Sequence, residues 1–129
     1  MSKVKFTVDV IGETTGKTWK GVFEAKTILS HKDRFRQDEL RREFLGKSPG
    51  VPDPMSVTSK WAHNAAEIFA FVLIHLTSAP QWWEANDSGL GLEDDNIVRE
   101  IHDKIVEVKT EAQKKFEAEA ETAKKELKK

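Results

Sequence analysis

The sequence lacks cysteine, so disulfides, thiolate nucleophiles and cysteine-ligated zinc are excluded. It also lacks a long apolar run, because its most apolar stretch, residues 68–74, is far too short to span a bilayer. No apolar segment of the signal-peptide kind follows the first residues. The net charge is −1, from 21 basic and 22 acidic residues, which argues against a dedicated nucleic-acid binder. We therefore expect one globular domain without a membrane segment.

Two alternating segments near the N-terminus predict a β-hairpin over residues 3–26. Apolar and polar residues alternate with period two on both sides of a turn that contains Gly12 and Gly16. An isolated hairpin is marginal in water, so we expect its apolar face to pack on helices. The residues predicted to form that face are Val4, Phe6, Val8, Val10, Trp19, Gly21, Phe23 and Ala25.

Two helices are predicted after the hairpin. Ser30 is a good N-cap with Asp33 three residues further on, which predicts a first helix at 31–45. Three prolines follow and predict a loop. The second helix is expected at 58–78, and because it is apolar nearly all round it should be buried. Pro80 disfavours helical geometry at the preceding residue and ends it.

A third, long helix is predicted from about Asp95 to the C-terminus. Apolar residues recur there at steps of three and four, without an interrupting proline or glycine. A helix of roughly 34 residues is about 50 Å long, whereas a compact domain of this size is about 35 Å across. The stripe consists of Ile97, Ile101, Ile105, Val108, Ala112, Phe116, Ala120, Ala123 and Leu127.

The sequence therefore predicts an α+β fold, in which an N-terminal hairpin packs on a small helical bundle with a long C-terminal helix. A single domain is expected at 1–110, and it includes helical residues 95–110. Residues 111–129 are expected to protrude as a charged helix. Because the stripe there has no evident cover within the domain, we expect it to bind a partner, through Ala112, Phe116, Ala120 and Leu127.

Adjacent tryptophans, Trp82 and Trp83, form a second candidate for partner binding. Neighbouring residues on a helix cannot face the same way, so one ring is expected beneath the buried helix and the other at the surface or at an interface. Tryptophan is strongly enriched at interface hot spots. The alternative is that both rings belong to the core.

No pattern in the sequence indicates catalysis or a metal site. The four histidines lack metal-ligand spacing. The acid-rich segment 87–95 has glycines where a calcium loop needs ligands. Gly16-Lys17-Thr18 lacks the earlier glycine of a phosphate-binding loop. We therefore expect no enzyme activity, no cofactor, no metal and no small-molecule substrate.

The predicted helix 31–45 supports an alternative function, a nucleic-acid-associated module. Arg34, Arg41 and Arg42 can lie on one side of it and contact phosphate or an acidic partner. Acidic residues interleave with these arginines, so nucleic acid is not the favoured partner.

Three segments in the second half of the chain form one pattern, and Leu29-Ser30-His31-Lys32-Asp33 adds to it: Ala79-Pro80-Gln81-Trp82-Trp83, Ser88-Gly89-Leu90-Gly91-Leu92 and Asp95-Asn96-Ile97-Val98. This pattern resembles the small structural and morphogenesis proteins of tailed bacteriophages, including tail assembly chaperones. The resemblance covers roughly residues 65–116 and implies a non-enzymatic protein that binds other phage structural proteins or itself, in the virion or the host cytoplasm. It implies either a tail assembly chaperone or a virion component of the capsid, neck or tail.

Overall fold

The computed structural model describes residues 3–45 and 60–127. Strands open the chain, and helices with one short strand follow, so the predicted α+β fold class is confirmed. In chain order the elements are β1 Lys3–Ile11, β2 Thr18–Lys26, α1 His31–Phe44, α2 Lys60–His75, β3 Leu76–Ser78, α3 Gln81–Ala85 and α4 Asp95–Leu127.

The predicted hairpin forms, and its two strands pair antiparallel. Phe6 lies opposite Phe23, and Val8 lies opposite Gly21. The rings of Phe6 and Phe23 stack with their centroids 5.6 Å apart on the inner face of the sheet. Period-two alternation therefore identified the buried face correctly.

The end of the second helix was predicted wrongly. Helix α2 ends at His75, and residues 76–78 form β3, which pairs antiparallel with β2 as the third strand of the sheet. Leu76 lies opposite Ala25, so the open edge of β2 gains backbone partners that a further helical turn could not provide. Residues 58 and 59, the predicted start of this helix, lie outside the described residues.

The core lies between the sheet and two crossing helices. Ile97, Ile101 and Ile105 of α4 are completely buried, and they pack with Val72 of α2 and with the inner face of the hairpin. These isoleucines follow the predicted steps of four, so the first half of α4 is part of the domain.

Helix α1 lies outside this core. The predicted capping box is present, because Ser30 accepts a hydrogen bond from the Asp33 amide and Asp33 accepts one from the Ser30 amide. No residue of α1 is buried. The helix contacts α2, where the rings of Phe44 and Phe69 lie 6.0 Å apart. Helix α1 is therefore a charged outer layer on α2.

Candidate functional site

The outer half of α4 extends away from the rest of the domain. Every residue from 113 to 127 is exposed, although the helix continues without a break to Leu127. Phe116 is 49% exposed and Leu127 is 86% exposed. Ala112, which is half-buried, and Ala120 continue the same stripe. Within the part of the chain that the structure describes, this stripe is only partly covered at Ala112 and Phe116 and is exposed beyond them.

A groove marks the place where α4 leaves the sheet. Its cavity volume is about 400 Å³, and it lies between the start of β1 and the middle of α4. Charged side chains flank apolar ones along its walls. The groove therefore joins the apolar edge of the sheet to the exposed stripe of α4. Its lining consists of Lys3, Val4, Thr27, Val108, Glu111, Ala112, Lys115, Phe116 and Glu119.

Trp82 and Trp83 both pack on the sheet through α3, a short helix that the sequence did not predict. Trp83 is only 2% exposed, and its ring lies 5.7 Å from Phe23 in an edge-to-face arrangement. Trp82 is half-buried, stacks at a tilt 5.0 Å from Trp19 and donates a hydrogen bond from Nε1 to the Lys20 carbonyl at 2.9 Å. Trp83 thus offers a partner almost no surface, whereas a partner role for Trp82 stays a prediction.

Asp94 accepts four hydrogen bonds at the junction between the hairpin and the start of α4. It is 1% exposed. Its carboxylate accepts hydrogen bonds from the Thr14 and Thr15 amides at 2.7 and 2.9 Å, and from the Thr15 hydroxyl and Trp19 Nε1. The Thr15 hydroxyl is the main cause of its lowered pKa. A Cβ at Gly12 would overlap this carboxylate. Asp94 therefore fixes the hairpin turn to the start of α4.

A buried histidine and a lysine connect α2 to the middle of α4. His75 is completely buried, and its Nδ1 lies 2.7 Å from the Phe71 carbonyl while its Nε2 lies 2.8 Å from Lys109 Nζ. These partners require Nδ1 to donate and neutral Nε2 to accept. Burial is the main reason that the pKa of His75 falls to about 4. Burial also lowers the pKa of Lys109, and the positive charge of Arg34 adds to that effect.

The three arginines predicted as phosphate or acidic-partner contacts do not form one surface. Arg41 and Arg42 both bind Asp38, at 3.2 and 2.9 Å. Arg34 forms no ion pair with any carboxylate in residues 3–45 and 60–127. Arg34 and Arg41 line a cleft beneath α1, whereas Arg42 does not. Of these three arginines, Arg34 is thus the one that pairs with no carboxylate of the described residues.

Comparison with known proteins gives no further guide to function. No family model, curated protein or solved structure matches this chain. Among the described residues, no group of three or more histidine, aspartate or glutamate side chains could hold a metal ion. No described helix is both long and apolar enough to cross a membrane.

Proposed function

We propose that this chain is a non-enzymatic assembly protein of a tailed bacteriophage, and that it binds another phage structural protein through the outer half of α4. The observation that carries the docking role is the exposed stripe from Ala112 to Leu127. The sequence resemblance described above supports the choice of phage structural proteins as partners.

The stripe has the form of a helical docking surface. Phe116 and Leu127 are eleven residues apart, which places them on nearly the same face and about 16 Å apart along the axis. Ala120 lies between them and allows close approach of a partner helix. A partner groove could therefore take both large side chains as anchors, as in other helix-in-groove complexes.

The protein could act as a tail assembly chaperone or as a virion component, and the two functions differ in whether it is found in the mature particle. As a tail assembly chaperone it binds an unassembled tail or tape-measure protein and leaves before the particle is complete. As a virion component it stays in the capsid, neck or tail in symmetric copies. Mass spectrometry of purified mature particles separates the two, because only the virion component is present there.

A double variant, Phe116→Ser with Leu127→Ser, tests the docking surface in the full chain. We expect it to remain folded, because both side chains lie outside the buried core, and to lose co-purification with phage structural proteins from infected cells. Ala118→Ser, on the opposite side of the helix, is the matched control and should bind normally. Normal binding by the double variant would rule out this surface.

Ending the chain at Thr110 tests the domain boundary. We expect the remaining residues to fold, because Ile97, Ile101 and Ile105 are all retained, and to lose the partner or the self-association. If the shortened chain unfolds, the outer half of α4 belongs to the core and the docking proposal fails.

The alternative, a nucleic-acid-associated module on α1, receives little support from the geometry. Arg36 pairs with Glu39 and Glu43, and Arg41 and Arg42 both pair with Asp38. A DNA mobility shift that weakens steeply with salt would favour this alternative.

A further inference from the structure

The exposed stripe of α4 continues the face that the same helix buries in the domain. Ile105 is completely buried, and Phe116 and Leu127 follow it at successive steps of eleven residues. Eleven residues make about three helical turns, so the three side chains lie on nearly the same face of α4. The helix continues without a break to Leu127. A partner that covers the stripe must therefore lie on the side of α4 that the hairpin and α2 occupy, just beyond the end of the domain.

This position restricts the direction in which a second copy of the chain can bind. If the two α4 helices ran parallel with their stripes facing, the two domains would lie at the same level between the helices and would overlap. If the helices run antiparallel, the second domain lies beyond the far end of the first helix. The stripes then face each other over residues 112–127, a length of about 24 Å at 1.5 Å per residue. The fold therefore favours an antiparallel pair.

The charges beside the stripe match this antiparallel arrangement. At about 100° per residue, Glu117 and Lys124 flank the stripe on one side, and Lys115 and Glu126 flank it on the other. When residue 120 of one copy lies beside residue 121 of the other, Glu117 faces Lys124 of the second copy. In the same register Lys115 faces Glu126, and two-fold symmetry repeats both contacts. None of these four side chains forms an ion pair among residues 3–45 and 60–127.

The same register also matches the large apolar side chains. Leu127 of the second copy comes to the level of residue 114, between Ala112 and Phe116 of the first. That position is the groove of about 400 Å³ that Val4 also lines. Phe116 in turn lies between Leu127 and Ala123 of the second copy, as a knob between neighbouring side chains of a facing helix. The groove can therefore take the end of a second copy's helix, with Leu127 as its apolar anchor.

We propose that a second copy of this chain covers the stripe, in an antiparallel dimer in which Leu127 of each copy enters the groove of the other. The inference rests on the docking role proposed above, because it names the partner that holds the same stripe until a phage structural protein binds. The facing segments are short and their centre is mostly alanine. We therefore expect a weak dimer that another partner can displace, with a dissociation constant of about 1–100 µM.

Sedimentation equilibrium of the full chain tests the dimer at about 5–500 µM protein. We expect a monomer–dimer equilibrium for the natural chain and a monomer for the double variant Phe116→Ser with Leu127→Ser. A natural chain that stays monomeric at the highest concentration would overturn the dimer, while its docking to a phage protein would be unaffected. A natural chain that dimerises but captures no phage structural protein from infected cells would support the dimer and contradict the docking role.

Charge reversal tests the antiparallel register. Lys124→Glu and Glu117→Lys each place like charges opposite each other, so each variant alone should dimerise at least about fivefold more weakly. In an equal mixture every lysine at these positions faces a glutamate, so a heterodimer should form about as readily as the natural dimer. Lys125→Glu is the matched control, because it makes the same charge change on the opposite side of the helix. It should alter the dissociation constant less than about twofold.

Two results of the charge-reversal experiment would overturn the antiparallel dimer. One is a mixture of the Lys124→Glu and Glu117→Lys variants that dimerises no better than either variant alone. The other is a Lys125→Glu variant that is weakened as much as Lys124→Glu, because the effect would then come from net charge and not from facing side chains.

Discussion

The buried His75 makes the stability of this protein sensitive to mild acid. In the unfolded chain a histidine titrates near its ordinary pKa of 6.5, whereas burial lowers the folded-state pKa of His75 to about 4. The unfolded state therefore binds more protons below pH 6.5. The stabilisation is fully present above that pH, and it is lost as pH falls toward 4.

The expected loss follows from these two pKa values. Between about pH 7.5 and pH 5 the linkage relation gives a loss of about 2 kcal/mol in the free energy of unfolding. Lys109, which contacts His75, is half-exposed, so solvent screening reduces the expected loss in the free energy of unfolding to about 1–2 kcal/mol. The charged groups that act on His75 are Lys109 of α4, Lys26 of β2 and Asp33 of α1, and both lysines oppose its protonation.

Urea unfolding followed by tryptophan fluorescence measures this loss at each pH. His75→Gln removes the titrating ring, so its stability should vary much less over the same range. His102→Gln is the matched control, because His102 packs on the same Phe71 ring at 4.7 Å but is half-exposed. If His75→Gln keeps the pH dependence of the natural chain, the buried His75 is not its cause.

Two further predictions concern the core and the hairpin junction. Ile101→Ala should lower the free energy of unfolding by about 2–5 kcal/mol, because Ile101 is completely buried, whereas the exposed Val106→Ala should change it by less than about 0.5 kcal/mol in the same urea assay. Asp94→Asn should lower the thermal midpoint clearly more than Asp95→Asn, because the Asp94 carboxylate accepts hydrogen bonds from Thr14 and Thr15 of the hairpin turn. Equal midpoints would show that the turn does not depend on this carboxylate.

The spacing of apolar residues within a segment predicted which segments form strands or helices and which face of each is buried. The buried face of the hairpin follows from the alternation that includes Phe6 and Val8, and the buried face of α4 follows from isoleucines spaced by four. The N-cap of α1 could also be predicted, because Ser30 and its partner Asp33 are only three residues apart. These features need no knowledge of distant parts of the chain.

Features that depend on distant partners could not be predicted in this way. Residues 76–78 have no strong strand signal of their own, and they become a strand because β2 offers an edge to pair with. The hydrogen-bond donors to Asp94 lie about eighty residues away in the hairpin turn. The contact between His75 and Lys109 likewise joins two helices. Only the three-dimensional arrangement reveals these partners.

The order of elements also affects how the protein folds during synthesis. The hairpin is made first, but its inner face is covered by Ile97, Ile101 and Ile105 of α4, about seventy residues later in the chain. At roughly 5–20 residues per second, translation leaves that face without its main cover for about 4–14 s. A ribosome that stalls before Ile97 would therefore hold a nascent chain with an exposed apolar sheet, which is a substrate for molecular chaperones.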